Sequence, residues 1–132
     1  MSGGLFGGLN ISATGMGAER VRMDVIAENL ANADTTKGPD GKPYRRKEVV
    51  LSFDQTLDGV KVAGITEDRS APRRVYDPGH PDADAQGYVS LPNVEPVTEM
   101  VDLITASRGY EANVQALQAS KTMFTKTLDI LR

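Results

Sequence analysis

Residues 95–131 read EPVTEMVDLITASRGYEANVQALQASKTMFTKTLDIL, and this stretch decides the fold. The spacing predicts one helix from Glu95 to Leu131, with Pro96 in its first turn and Asn93 or Glu95 at its cap. Such a helix is on the order of 55 Å long, more than a globule of this chain's size spans, so it needs a partner along its length. Ten positions follow the alternating three-and-four spacing of a heptad seam: Met100, Leu103, Ser107, Tyr110, Val114, Leu117, Lys121, Phe124, Leu128 and Leu131.

A second helix is predicted near the start of the chain, from Ile11 to Ala31, with Ser12 or Thr14 as its cap. Asn29 and Asn32 lie in a run of residues that end helices, and we expect them to stop this helix and redirect the chain. Pairing with the C-terminal helix, parallel or antiparallel, would bury both seams. The N-terminal seam has strict seven-residue spacing and one added position: Leu9, Met16, Met23 and Leu30, with Ile26.

The middle of the chain has a different character, because turn dipeptides separate short runs of strand-like composition. The expected strands are Arg46–Phe53, Val60–Thr66, Arg74–Tyr76 and Tyr88–Ser90. We therefore predict a mainly α protein with a small β-rich insert, whose terminal helices pair as a coiled-coil-like α domain. Its parts are an N-terminal tail and helix (1–35), the insert (36–92) and the long C-terminal helix (93–132).

The two predicted helices are unequal, and this favours assembly with other chains. Val97, Val101, Ile104 and Ala116 form a second apolar set on the longer helix, which a single partner would leave exposed. Exposed apolar stripes usually mark association surfaces. The alternative is that the insert of the same chain covers them. Gly109, inside the long helix, costs about 1 kcal/mol relative to Ala and is a candidate bend.

Composition argues against several function classes. A net charge of −3 disfavours nucleic acid as a ligand, the absence of cysteine excludes disulfides and thiolate metal sites, and neither a signal peptide nor a membrane span is expected. The single histidine, His80, has no nucleophile elbow beside it. Asp82 and Asp84 match the start of a calcium loop, but Pro92 and Asn93 stand where its final acid is needed. We expect no catalytic residue, metal or cofactor, and a flexible glycine-rich tail at Gly3, Gly4, Gly7 and Gly8.

Several segments resemble a known family. Residues 28–35, ENLANADT, are similar to the Asn-rich signature that ends the first helix in flagellar rod and hook proteins, and Tyr44-Arg45-Arg46 fits the same pattern. Residues 76–84 (YDPGHPDAD), 87–104 and 106–114 (ASRGYEANV) resemble the proximal-rod members of that family. The resemblance covers essentially the whole chain.

The resemblance implies a non-enzymatic structural subunit of the flagellar basal body. It implies export by the flagellar type III apparatus without a cleaved signal, and assembly in the periplasm as part of the torque-transmitting drive shaft and the export-channel wall. The implied partners are further copies of the chain, the rod proteins FlgB, FlgF and FlgG, the rod-base adaptor FliE and the export apparatus, with no nucleic acid and no membrane insertion. The alternative is a soluble helical adaptor or export-chaperone-like module that forms a small closed oligomer.

For such a shaft subunit, we expect interlocked helix faces to carry the load. The predicted assembly interface comprises Leu9, Met16, Met23, Ile26, Leu30, Met100, Leu103, Ile104, Tyr110, Val114, Leu117, Phe124, Leu128 and Leu131.

Overall fold

The structure is a computed structural model that describes residues 4–132. Two long helices, α1 (Leu5–Ala31) and α2 (Pro96–Ile130), flank the strands β1 (Lys47–Asp54), β2 (Gly59–Glu67), β3 (Arg73–Tyr76) and β4 (Tyr88–Leu91). The helices contact each other, and the strands form two separate antiparallel hairpins between them in sequence. The predicted fold class is confirmed, and each predicted strand lies within two residues of an observed one.

Helix α1 begins six residues earlier than predicted. Ser12 and Thr14 lie inside it, and Gly4 is its N-terminal cap residue without a side-chain hydrogen bond. Gly7 and Gly8 are helical, so the flexible-tail prediction is wrong for them, while Gly3 lies outside the described residues. Glycine has low helix propensity, but packing against a second helix outweighs propensity, and α2 supplies that packing here.

The two helices run antiparallel with a heptad register. A Cβ on Gly8 would lie 4.0 Å from Ser120 Oγ, and one on Gly15 would lie 3.0 Å from the Asn113 amide. Further along, the Asn29 amide bonds a carboxylate oxygen of Glu99. Each seven-residue step along α1 is thus matched by an equal step back along α2, which is how a helix pair keeps one seam.

Small residues let the helices approach closely along this line. Ser12, Ala18 and Ala106 are buried there. Gly109 lies opposite Glu19, whose carboxyl group would be 3.2 Å from an added Cβ. Helix α2 runs unbroken through Gly109, so its glycine makes room for Glu19 and does not end the helix.

The β1–β2 hairpin packs along α1. At its base, Lys47 of β1 bonds Asn29, and near its tip the Val60 N–H donates to Thr14 Oγ1 over 3.2 Å. The strands pair from Lys47 with Glu67 to Asp54 with Gly59, and a bulge lies between Val50 and Leu51. The hairpin is therefore fixed to α1 at both ends.

The β3–β4 hairpin is held by side chains at its loop end. The rings of Tyr76 and Tyr88 meet edge to face at 5.3 Å, and Gly87 has a left-handed φ of 82° beside the Tyr76 ring. Asp82 in its loop bonds Lys37 Nζ at 2.5 Å and the Thr36 hydroxyl at 2.7 Å. These bonds tie the loop to the segment that follows α1.

Candidate assembly surface

A buried amide connects the end of α1 to the base of the first hairpin. Asn29 is fully buried, and its Oδ1 accepts hydrogen bonds from the Lys47 N–H at 2.9 Å and the Tyr44 hydroxyl at 3.0 Å. Its Nδ2 donates to the Lys47 carbonyl at 2.9 Å and to Glu99 Oε2 at 3.2 Å. All four hydrogen-bonding positions of the amide are used, two of them as a neighbouring β-strand would use them.

A buried ion pair extends this cluster to the start of α2. Glu99 is 1% exposed and accepts a hydrogen bond from Arg46 Nε, while Arg46 also pairs with Glu48. Burial lowers the pKa of the Arg46 guanidinium, but the bonds to Glu99 and Glu48 more than offset this and hold it above its usual value. Removing one member of such a pair leaves a buried charge without a partner, which is strongly destabilising.

Asn93 completes this cluster, which we call the polar junction. Its members are Asn29, Tyr44, Arg46, Asn93 and Glu99. The Arg46 N–H donates to Asn93 Oδ1 at 2.9 Å, and Asn93 Nδ2 donates to the Asp68 carbonyl at 3.3 Å. Burial, with the nearby charges of Glu28, Glu99 and Glu67, raises the pKa of Tyr44 to about 12. The junction therefore fixes α1, β1 and the start of α2 relative to one another.

Asn32, the other predicted helix-end residue, is the C-terminal cap residue of α1. Its Nδ2 donates to the Glu28 carbonyl at 2.9 Å, and the Thr35 hydroxyl donates to its Oδ1 at 3.2 Å. The Glu28 carbonyl also accepts from the Asn32 N–H at 3.1 Å, so Asn32 binds the last turn through both its backbone and its side chain. Asn32 thus bonds within the helix end, whereas Asn29 reaches beyond it to β1.

The predicted seam residues lie beside the line of closest approach. On α1, Leu9 and Met16 follow Gly8 and Gly15 by one residue, or about 100° around the helix. On α2, Leu117 follows Asn113 by four residues, or about 40° in the same sense. In an antiparallel pair, rotations of the same sense lead to the same side, so both sets share one side of the helix pair. We call it the apolar side.

Exposure differs among the predicted interface residues. Ile26 is buried. Met100, Ile104, Leu128 and Leu131 are exposed, by 49% or more. The others are half-buried: Leu9, Met16, Met23, Leu30, Leu103, Tyr110, Val114, Leu117 and Phe124. Phe124 also meets the ring of Phe6 edge to face at 5.6 Å.

The first hairpin packs on the opposite side. Thr14, which bonds the hairpin, precedes Gly15 by one residue, whereas Met16 follows it. Val25 and Asp102 line one cavity with Val49 and Leu51 of β1, on that same opposite side. The predicted interface residue Ile26 also lines this cavity. The insert therefore leaves the apolar side uncovered. It also leaves the second apolar set of α2 open, since Val97, Val101 and Ile104 are 56–67% exposed, so the alternative that the insert covers that set is wrong.

The histidine of the insert, His80, makes a local structural contact. His80 Nδ1 accepts a hydrogen bond from the Asp82 N–H at 3.0 Å, which is a turn contact. Among residues 4–132, no group of three or more His, Cys, Asp or Glu side chains is arranged to hold a metal ion. None of the described helices is long and apolar enough to cross a membrane.

Sequence reasoning missed the residues that hold the two helices together. Gly8 and Gly15 on α1 repeat every seven residues beside the apolar seam, and so do Glu99, Ala106, Asn113 and Ser120 on α2. This small and polar heptad was a readable signal for close helix contact. The partner of Glu99, Arg46, is 53 residues away, and no local pattern joins them.

Comparison with known proteins adds an independent observation. Residues 9–39 match the family described as "Flagella basal body rod protein", and residues 85–130 match "Flagellar basal body rod FlgEFG protein C-terminal". The flagellar basal-body rod protein FlgC of Bacillus subtilis is 49% identical over 95% of this chain and 97% of its own. That of Salmonella typhimurium is 47% identical over 92% and 93%. That of Borreliella burgdorferi is 44% identical over 98% and 99%.

Proposed function

The chain belongs to the FlgC family of flagellar basal-body rod proteins, and on that premise we propose that its two terminal helices are the surface through which it joins the rod. It is a structural subunit of the rod and not an enzyme. Family membership thereby excludes the adaptor and export-chaperone alternative. The observation that supports the proposal is the uncovered apolar side of the helix pair, opposite the hairpin.

Helical assembly would bury this surface between neighbouring subunits. A heterologous contact that does not close generates an open helical tube, whereas an isologous contact closes into a dimer. The half-buried residues of the apolar side already contact their own helix pair, so a neighbour adds burial without refolding the subunit. We propose that the packed helices form part of the torque-transmitting shaft and of the export-channel wall.

The polar junction serves this assembly by fixing the angle at which the helices leave the insert. Its members come from α1, α2 and the segments between them, and each buried polar group in it has a partner. Satisfied buried networks rigidify a structure and specify one arrangement. A shaft subunit needs such stiffness, because a mobile helix pair would absorb torque.

The chain assembles with other rod components, as its family does. We propose FlgB, FlgF, FlgG and the rod-base adaptor FliE as its neighbours, together with further copies of itself. We further propose that it reaches the periplasm through the flagellar type III apparatus without a cleaved signal. The apolar side is exposed in the single subunit and would be buried only by its neighbours, which is compatible with export before assembly.

Mixing experiments test the proposal. The purified chain is examined by sedimentation velocity and circular dichroism, alone and with each candidate rod protein. We expect its mass to rise on mixing while its helix content stays the same, because a neighbour covers the open apolar side without refolding the subunit. A stable, fully helical small oligomer that binds none of the rod proteins would contradict the proposal.

A further inference from the structure

Two apolar patches lie at opposite ends of the helix pair. The junction-end patch, beside the polar junction, consists of Val97, Met100, Val101 and Ile104, which are 54–67% exposed. The free-end patch, at the other end, consists of Phe6, Leu128 and Leu131, which are 49–77% exposed. Neither patch is covered by another part of the described chain, and exposed apolar area of this kind marks a contact surface.

The two ends also differ in charge. Helix α1 carries no charged residue from Leu5 to Ala18, and α2 beyond Glu111, with Arg132, carries three cations and one acid: Lys121, Lys126, Arg132 and Asp129. The junction end carries six acids on the two helices: Glu19, Asp24, Glu28, Glu99, Asp102 and Glu111. Five cations accompany them: Arg20, Arg22, Arg108, the Glu99 partner Arg46 and the Glu28 partner Lys47. The free end is therefore net positive and the junction end net negative.

We propose that the two patches are the two halves of one contact, in which the free-end patch of one copy docks on the junction-end patch of a second copy. This inference rests on the proposed function and adds which surfaces meet. Opposite charge favours free end against junction end and disfavours like ends meeting. Because the two halves differ, the contact is heterologous, and each added copy presents a new open patch.

Cross-linking through introduced cysteines distinguishes the possible contacts. The chain has no cysteine of its own, so only the introduced cysteines can react with the cross-linker. Ile104→Cys and Leu128→Cys each change an exposed side chain and leave the fold intact. The two positions are 24 residues apart on one helix, on the order of 36 Å, which is beyond the reach of a short bis-maleimide within one subunit.

We expect the double variant to give a ladder of multimers with the bis-maleimide, and each single variant to give none. Raising the salt concentration should shorten the ladder, because the charges at the contact are exposed. The matched control pairs Ile104→Cys with Gln86→Cys, an exposed position in the β3–β4 loop, and should also give no ladder. Efficient dimers from Ile104→Cys alone would show an isologous contact and overturn the proposal.

A mixing experiment covers the case in which the introduced thiols are badly placed. Ile104→Asp blocks the junction-end patch and Leu128→Asp blocks the free-end patch, so neither variant should self-associate. Mixed together, they retain one good patch of each kind and should form a one-to-one dimer by sedimentation velocity. If neither the mixture nor the double cysteine variant associates, the proposal is wrong. Incorporation of the wild-type chain into rods in cells would then still support the proposed function.

Discussion

The substitution Asn29→Asp tests the polar junction with almost no change in side-chain size. It keeps the oxygen that accepts from Tyr44 and from the Lys47 N–H. It replaces the amide nitrogen, which donates to the Lys47 carbonyl at 2.9 Å and to Glu99 at 3.2 Å, by an oxygen that accepts only. Two hydrogen bonds are lost, and a second carboxylate is placed against buried Glu99.

The expected cost follows from these contacts. A lost hydrogen bond costs about 1 kcal/mol, and a buried acceptor left without a donor costs about 1–3 kcal/mol. Like charges in a buried site add to this. We expect the free energy of unfolding to fall by about 3–5 kcal/mol, a large part of the 5–15 kcal/mol that a domain typically has.

Urea unfolding followed by circular dichroism measures the change. The control is Asn10→Asp, which makes the same chemical change at an exposed position of α1 and should stay within about 0.5 kcal/mol of wild type. A loss below about 1 kcal/mol for Asn29→Asp would refute the reasoning, because it would mean that the junction contributes little to stability. Failure of Asn29→Asp to fold, while the control folds, agrees with it.

Three further predictions concern packing and pH. Gly17→Ala faces open space in α1 and should stabilise the protein by about 1 kcal/mol, whereas Gly15→Ala, 3.0 Å from the Asn113 amide, should gain nothing or lose stability; equal thermal midpoints would contradict this. Since the pKa of Tyr44 is raised to about 12, its stabilising contribution is present below the usual tyrosine pKa of about 10 and is lost as the pH rises towards 12; ultraviolet titration should show one late phenol, absent in Tyr44→Phe. Hydrogen bonds from Lys37 and Thr36 lower the pKa of Asp82, so the stabilisation from ionised Asp82 is present above the usual aspartate pKa and is lost as the pH falls through the lower folded pKa. An NMR titration in which Asp82 has its midpoint at or above the usual aspartate value would contradict this.

The helix pair could be predicted because heptad spacing is a local property of each segment. The long helix was placed within one residue at each end, since Pro96 marks its first turn. The start of α1 was misplaced at Ile11, because Gly7 and Gly8 look unfavourable when propensity alone is considered. Only the second helix, close enough to contact Gly8, makes that segment helical.

The contacts that position the apolar side could not be read in the same way. Asn29 was recognised as a helix-ending residue, but its bonds to Lys47 and Glu99 join residues 18 and 70 positions away. Glu99 lies in the first turn of α2, where an acid is favourable on any helix, so its position alone does not indicate that it is buried against Arg46. Such pairings depend on the tertiary arrangement, and one sequence carries no direct record of them.

The most direct test of the central claim is the content of purified basal bodies from cells that express Leu128→Asp as their only copy. Leu128 is 49% exposed, so the change alters the apolar side while sparing the fold. Gln86→Asp, which adds the same charge in the exposed β3–β4 loop, is the control. We predict that Leu128→Asp is exported but absent from rods, with motility lost, while Gln86→Asp is incorporated. Normal incorporation of Leu128→Asp would contradict the claim that the terminal helices join this subunit to the rod.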